Sequence, residues 1–343
     1  MRVTITDVAK EADVSASTVS RVIHDHPRIS EETKNRVRET MERLGYYPNA
    51  LARGLAKAST GNLGLILPNS KENLFTNPFF IEAMRGIGVE AQARGYNIMF
   101  SFSNNPEEEV GFLRNYINSR WVDGIILLTT RENDRCVSYL QEKRFPFVVV
   151  GRPDSARSAL WVDNDNFQAV YNVTNLLIDR GCRNIAFLGG PGTFSVTRDR
   201  LHGFRQALEI RGIHPDDAQI GLGPDFSEAG GQASMEKVLA SGVPDAVVTT
   251  DDYIAFGAQE ALDAAGVGPV AVVGFNNTMR GRYQTPSLTS VDVNPAALGA
   301  GAVSLLIDAV TGVEGAADHK IVDTRLIERD STASHCFCCG GSF

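Results

Sequence analysis

No stretch of this sequence approaches the roughly 20 consecutive apolar residues that a membrane-spanning helix requires. The amino terminus MRVTITDVAK has neither an apolar core nor a small-residue cleavage site. No membrane association is expected, and the chain reads as cytoplasmic. Cysteine is scarce, at five in 343 residues. Cys136 and Cys182 stand alone and read as reduced, partly buried thiols, which excludes a disulfide scaffold. Cys336, Cys338 and Cys339 crowd the end beside His335. Adjacent cysteines seldom reach one tetrahedral ion together, so residues 333–343 read as a disordered tail and no metal is expected. Catalytic signatures are missing too. The run Gly189-Gly190-Pro191-Gly192 lacks the G-x-G-x-x-G spacing of a dinucleotide loop and the G-K-[ST] ending of a phosphate loop. There is no G-x-S-x-G elbow, no metal-spaced histidine set and no cysteine nucleophile with partners, so neither an enzyme nor a cofactor is expected.

The charge that is present is unevenly shared. The chain carries a net −8, yet residues 1–60 hold ten Lys or Arg against eight acids, a net +2. The remaining residues hold 23 basic and 33 acidic groups, a net −10. Attraction to a polyanion therefore falls to the first segment, while the rest is repelled by one.

That first segment reads as short helices. Thr6 is the expected cap of a helix over residues 7–12, with Val8, Ala9 and Ala12 on one face. The turn Asp13-Val14 leads to Ser15, the cap of a second helix in which Val19, Val22 and Ile23 keep helical spacing. Ser30 caps a third, which stops at Gly45, with Glu31 and Glu32 at its positive end. Two helices joined by a tight turn, the second showing Ser15, Ala16, Ser17, Ser20 and Arg21 outward, make a helix-turn-helix suited to close approach to base edges. A plain three-helix bundle would share the apolar spacing but not that polar face. Residues 49–57 follow as a linker of helical propensity, interrupted by Gly54 and too short to be a stable helix alone.

From Leu63 the pattern changes to apolar strands alternating with helices. The expected strands are Leu63–Leu67, Asn97–Phe102, Gly124–Leu128, Phe147–Val150, Asn184–Leu188, Asp245–Thr249 and Val270–Gly274. Unbroken Val/Ile/Leu strands between helices predict parallel sheets covered on both faces. The pattern restarts near residue 160, which predicts two similar α/β halves with a ligand cleft beyond the carboxyl ends of their strands.

Over residues 3–55 the chain closely resembles the LacI/GalR family of bacterial repressors. The resemblance is carried by Thr4-Ile5-Thr6-Asp7-Val8-Ala9-Lys10, Val14-Ser15-x-Ser17-Thr18-Val19-Ser20-Arg21-Val22, Ile29-Ser30-x-x-Thr33 and Leu44-Gly45-Tyr46-x-Pro48-Asn49-x-x-Ala52-Arg53-x-Leu55. The body continues it to residue 332 through Val122-Asp123-Gly124-Ile125-Ile126-Leu127, Asp251-Asp252, Val273-Gly274-Phe275 and Pro286-x-Leu288-Thr289-Ser290-Val291. It implies an all-α helix-turn-helix DNA-binding head on an α/β, periplasmic-binding-protein-like body of two doubly wound parallel-sheet subdomains. The implied boundaries are 1–57 for the head with its hinge helix and 61–332 for the body. The body's first subdomain would span about 61–160 plus 292–320, and its second about 161–291 plus 321–332.

The same resemblance implies double-stranded operator DNA as partner. Ala16, Ser17 and Arg21 would reach base edges in the major groove, Arg21 pairing bidentately with guanine. Ser15, Thr18 and Ser20 would position the helix on phosphates, and Thr4 and Thr6 join the DNA-binding set. Asn49, Ala52, Arg53 and Leu55 belong to the hinge, with Leu55 as the minor-groove wedge. Two hinges are needed for that, which implies a homodimer on a palindromic operator. Asp13 and Gly54 depart from the family pattern, the second in a way that would loosen the hinge.

For the body the resemblance implies a small-molecule effector. Asp163 and Asp165, with Asn164, Asn166 and Trp161, offer bidentate groups and a stacking face for a sugar, although the same residues also suit capping of the next helix. Arg200, Asp251 and Asn276 fall where family members hold their ligand, and Asn77 and Phe79 would line the opposite wall. Asn77-Pro78-Phe79-Phe80, Phe145-Pro146-Phe147, Gly181-Cys182 and Val196-Thr197-x-Asp199-Arg200-Leu201 are similar to repressors of maltose and maltodextrin operons, which implies an α-glucoside that releases the repressor from its operator. A different sugar or a nucleobase co-repressor is the alternative within the family; a solute-binding protein is the alternative outside it.

Overall fold

The computed structural model describes residues 3–23, 25–47, 59–68, 77–103, 105–153, 159–214 and 219–333. The hinge residues Asn49, Ala52, Arg53 and Leu55 and the cysteine-rich tail lie outside them. The chain divides into two units, Met1–Gly61 and Asn62–Phe343.

In the first unit α1 (Ile5–Glu11), α2 (Ala16–Ile23) and α3 (Glu31–Leu44) enclose Val8, Ala9, Ala12, Val19, Val22 and Val37. The cap of α1 is Thr4 and not the expected Thr6. The Asp7 backbone N–H donates to Thr4 Oγ1 at 3.4 Å and the Thr4 N–H donates to Asp7 Oδ2 at 2.8 Å. This reciprocal capping box satisfies two otherwise orphaned donors, which a start at Thr6 would not. Asp13 turns the chain into α2 in the left-handed region, at φ 51°, where a short acidic side chain costs less than most. Ser30 caps α3 and Gly45 ends it at φ 63°. Lys34, 6% exposed, is held between Glu31 at 2.8 Å and Asp25 at 3.0 Å, and Arg38 joins Asp25 at 2.9 Å.

The second unit holds two six-stranded sheets. Its first half contains β1 (Asn62–Pro68), α4 (Pro78–Ala93), β2 (Asn97–Ser103), α5 (Pro106–Asn118), β3 (Gly124–Leu127), α6 (Arg135–Lys143), β4 (Phe147–Val150) and β5 (Leu160–Asp163). The chain then crosses into α7 (Asn166–Asp179), β6 (Ile185–Gly189), α8 (Ser195–Ile210), β7 (Ile220–Leu222), α9 (Glu228–Ser241), β8 (Ala246–Thr249), α10 (Asp252–Ala264), β9 (Ala271–Phe275), α11 (Met279–Tyr283) and β10 (Thr289–Asp292). It returns through α12 (Pro295–Thr311) and β11 (His319–Ile321), and crosses a last time into β12 (Arg325–Ile327) and α13 (Asp330–Ala333). The sheet orders are β11-β5-β4-β3-β1-β2 and β12-β10-β9-β8-β6-β7, parallel except for the β10–β12 pair.

Each sheet is apolar on both faces because helices cover both. In the first, Leu63, Leu65, Val148 and Val162 face α4 and α12, while Ile66, Ile125, Leu127 and Val149 face α5 and α6. In the second, Phe187, Val248 and Phe275 share a cluster with α7 and α8, and Ala186, Val247 and Val272 with α9 and α10. The helices α4 and α12 approach through glycine: a Cβ on Gly86 would lie 2.0 Å from the Ala296 carbonyl oxygen, and one on Gly299 2.1 Å from that of Ala83.

The strand pairing places the crossings between the halves. Trp161, Val162 and Asp163 pair with β4 and β11 in the first sheet, so the crossing comes after residue 163 and not after 160. Asp292 pairs with Arg325 in the second sheet and Ile321 with Asp163 in the first, so the other two crossings follow residues 292 and 321. The apparent restart near 160 is the last strand of the first half: a four-residue apolar strand looks the same whether it closes one sheet or opens the next.

Candidate functional site

The head presents one polar face. On α2, Val19 and Val22 are buried while Ala16, Ser17 and Arg21 are exposed. Ser15 precedes the helix, and its Oγ accepts from the Thr18 backbone N–H at 3.1 Å and lies 2.8 Å from Ser17 Oγ and 2.9 Å from Thr18 Oγ1. Ser15 and Thr18 thus shape the helix start, and Ser20 is half-buried. Thr6 is exposed on α1, whereas the Thr4 hydroxyl donates to Asp7 Oδ2 at 2.7 Å and is engaged in capping.

In the body, a cavity of about 180 Å³ opens between the two halves. The carboxyl ends of the strands supply its walls, as doubly wound sheets dictate. From the first half come Asn77 and Phe79 at the start of α4, Phe80, and Thr130 and Arg131 after β3. From the second come Phe194, Ser195 and Arg200 at the start of α8, Phe226 before α9, Asp251 at the cap of α10, and Asn276 after β9. Asp163, Asn164 and Asn166 form the back, where the chain crosses.

Arg200 is buried and organises the polar side. Its Nε donates to Asn166 Oδ1 at 2.9 Å, its Nη1 donates to the Thr250 carbonyl at 2.6 Å, and its guanidinium lies 4.1 Å above the Phe275 ring centroid. Burial lowers its pKa to about 10, opposed by Asp163 and Asp251, so it stays charged at neutral pH. Asp251 Oδ1 accepts from the Tyr253 N–H at 2.8 Å. Its Oδ2 accepts from Asn276 Nδ2 at 2.7 Å and, across the cleft, from Asn77 Nδ2 at 3.1 Å. Asp163 Oδ1 accepts from the Asn164 N–H and from Asn166 Nδ2, and its Oδ2 from the Arg152 N–H. Burial pushes both Asp163 and Asp251 up to about 7 despite these donors and the Arg200 charge. Asp252, directly behind, is pushed by burial to about 6 and is held by Ser290 and Thr278.

The halves also meet at the rim. The Glu132 N–H donates to the Thr193 carbonyl at 2.9 Å, the Ser195 N–H to that of Thr130 at 3.4 Å, and Arg198 pairs with Glu132 at 3.5 Å. Arg131 lies over the Phe194 ring, 5.2 Å from its centroid, and pairs with Glu109 at 3.3 Å.

Of the body residues singled out in the sequence, Asn77, Phe79, Asp163, Arg200, Asp251 and Asn276 line the cavity. Trp161 and Asp165 do not. Trp161 is 6% exposed, stacked on His319 at 4.7 Å with Arg152 on it at 5.4 Å, and lies two residues before the carboxyl end of β5, where the cleft begins. Asp165 is exposed and caps α7, accepting from the Gln168 N–H at 2.9 Å. Sequence reasoning missed Phe194, Phe226 and Arg131. The signal for Phe226 lay in the glycine run set aside as a weak phosphate loop. A Cβ on Gly190 would stand 2.6 Å from the Phe226 ring, so Gly190 is glycine to seat that ring, which meets Phe194 edge to face at 5.5 Å.

An exposed helix-turn-helix face and a body with a ligand cleft define a ligand-responsive DNA-binding regulator. Known proteins agree. Residues 4–49 match the family model of bacterial regulatory proteins, lacI family, and residues 174–332 that of a periplasmic binding protein-like domain. The HTH-type transcriptional regulator MalR of Streptococcus pneumoniae is 39% identical over 258 residues, covering 75% of this chain and 78% of that one. A solved complex of the transcriptional regulator CelR with cellobiose matches at a TM-score of 0.75 and 30% identity, over 96% of this chain and 100% of that one. A structure described as a probable maltose operon transcriptional repressor MalR from Staphylococcus aureus matches at a TM-score of 0.73 and 26% identity, over 80% and 99%. The chain belongs to the LacI family of DNA-binding transcriptional regulators.

Proposed function

We propose that this regulator is a sugar-responsive repressor, a homodimer that sits on a palindromic operator and is released when an α-glucoside such as maltose or a maltodextrin enters the cleft. One observation carries the sugar reading. The cavity is lined by planar polar groups (Asn77, Asn166, Arg200, Asp251, Asn276) together with the phenylalanine rings Phe79, Phe80, Phe194 and Phe226. Amide, carboxylate and guanidinium groups suit vicinal hydroxyls, and aromatic faces suit the C–H faces of a pyranose. The likeness to MalR proteins favours an α-linked glucoside; the likeness to the CelR–cellobiose complex makes a β-glucoside the second reading. Ala16, Ser17 and Arg21 would read bases, with the hinge residues Asn49, Ala52, Arg53 and Leu55 in the minor groove, and the regulator would work in the cytoplasm on the nucleoid.

Calorimetric titration with maltose, maltotriose and cellobiose tests the effector. Saturable binding of the α-glucosides alone supports the proposal; binding of cellobiose alone replaces it with the second reading. A sedimentation experiment that finds only monomer at operator-binding concentrations removes the homodimer.

A further inference from the structure

The chain passes between the halves of the body at three places: residues 164–165, 293–294 and 322–324. One side chain joins all three. Asn164 is 6% exposed, and its carboxamide Nδ2 donates to the Val293 carbonyl at 3.0 Å and to the Val322 carbonyl at 2.9 Å. Both amide hydrogens are therefore used, one on each of the other two crossings. The main chain repeats the tie, since the Val322 N–H donates to the Asp163 carbonyl at 2.8 Å. Val293 and Val322 are themselves 1% and 7% exposed and packed in the cores of opposite halves, so the carbonyls that Asn164 grips are anchored.

Asn164 also lies at the back of the cleft, tied to its polar wall. Asp163 Oδ1 accepts from the Asn164 N–H at 2.8 Å and from Asn166 Nδ2 at 2.9 Å, and Asn166 Oδ1 accepts from Arg200 at 2.9 Å. A continuous buried chain of hydrogen bonds thus runs from the Arg200 guanidinium in the cavity wall to the backbone N–H of Asn164, the residue whose carboxamide binds the other two crossings. Three untied segments could each flex by a different amount as the halves turn. Three segments bound to one carboxamide turn together.

Resting on the sugar-responsive reading above, we infer that Asn164 is a positioning residue that makes the three crossings one hinge and so sets how strongly ligand in the cleft changes operator affinity. A ligand shifts operator affinity only through its differential affinity for the two arrangements of the halves, and a hinge that bends piecemeal lets the cleft close without the rest of the body following.

The test is the coupling ratio, operator dissociation constant with saturating sugar over that without, measured on the full chain by fluorescence anisotropy. Asn164→Asp keeps the shape but turns a double donor into an acceptor facing two carbonyls. Asn164→Ser keeps a single donor and serves if the first variant does not fold, as checked by thermal melting. The expected result is a ratio at least about threefold closer to one in Asn164→Asp, with Asn164→Ser in between. Calorimetry is expected to find sugar affinity changed by less than the ratio. Gln168→Ala, an exposed change on α7, keeps the wild-type ratio. A folded Asn164 variant with the wild-type ratio overturns the inference while leaving the sugar-responsive reading intact; a loss of ratio matched by an equal loss of sugar affinity also overturns it, reducing Asn164 to a ligand contact. A wild-type chain whose operator affinity ignores every sugar overturns both.

Discussion

Arg200 is the side chain on which the cleft depends most. It is a buried guanidinium among carboxylates that burial has already pushed up to about 7. Removing one member of such a set leaves the others without compensation, which typically costs about 3–5 kcal/mol. Arg200→Ala is expected to lower the urea midpoint of the body by that order with an unchanged slope, and to abolish sugar binding in calorimetry. The raised carboxylates make a second prediction. A carboxylate lifted from 3.8 to about 7 contributes its stability in full below the ordinary value and loses it as pH rises through the folded one. Sugar hydroxyls that donate to Asp251 favour its ionised form and lower that pKa. Sugar binding should therefore release protons near neutrality, and affinity should rise between about pH 6 and pH 8. Calorimetry in buffers of different ionisation enthalpy reads this directly; proton uptake would reverse the assignment. In the head, Arg21→Ala should cost about 1–3 kcal/mol of operator affinity with little effect on random DNA, as expected if Arg21 reads a base.

At the scale of elements, two glycine contacts are exposed to test. Gly86→Ala and Gly299→Ala push a methyl into carbonyls of the facing helix, and overpacking of this kind costs about 1–3 kcal/mol. Thermal melting should show the loss. Gly190→Ala should instead displace Phe226 and weaken sugar binding with operator affinity unchanged. The strands β1, β2, β3, β4, β6, β8 and β9 were legible in the sequence because an apolar run between turn residues leaves few other readings. The strands β5, β7, β10, β11 and β12 were not, since each mixes polar residues or glycine into three or four positions and owes its extension to a distant partner. The cleft was legible for the same reason in part. Asp251 and Asn276 sit at the ends of readable strands, whereas Phe194, Phe226 and Arg131 come from loops whose meeting is decided by how the halves close. Asp165 carried a real signal, but of a helix cap.

The whole molecule separates its tasks by charge. A net +2 in residues 1–60 against −10 in the remainder confines attraction for DNA to the head, and the body's sign discourages non-specific contact. Operator affinity should fall steeply with salt, with a slope of roughly −0.9 per phosphate neutralised, while sugar affinity, which involves a neutral ligand, should hardly change. The measurement that bears most directly on the whole account is binding to a palindromic operator duplex at fixed salt, titrated with maltose, maltotriose and cellobiose. The account predicts tight binding that maltose and maltotriose weaken and cellobiose does not. Operator binding indifferent to both α-glucosides would contradict it.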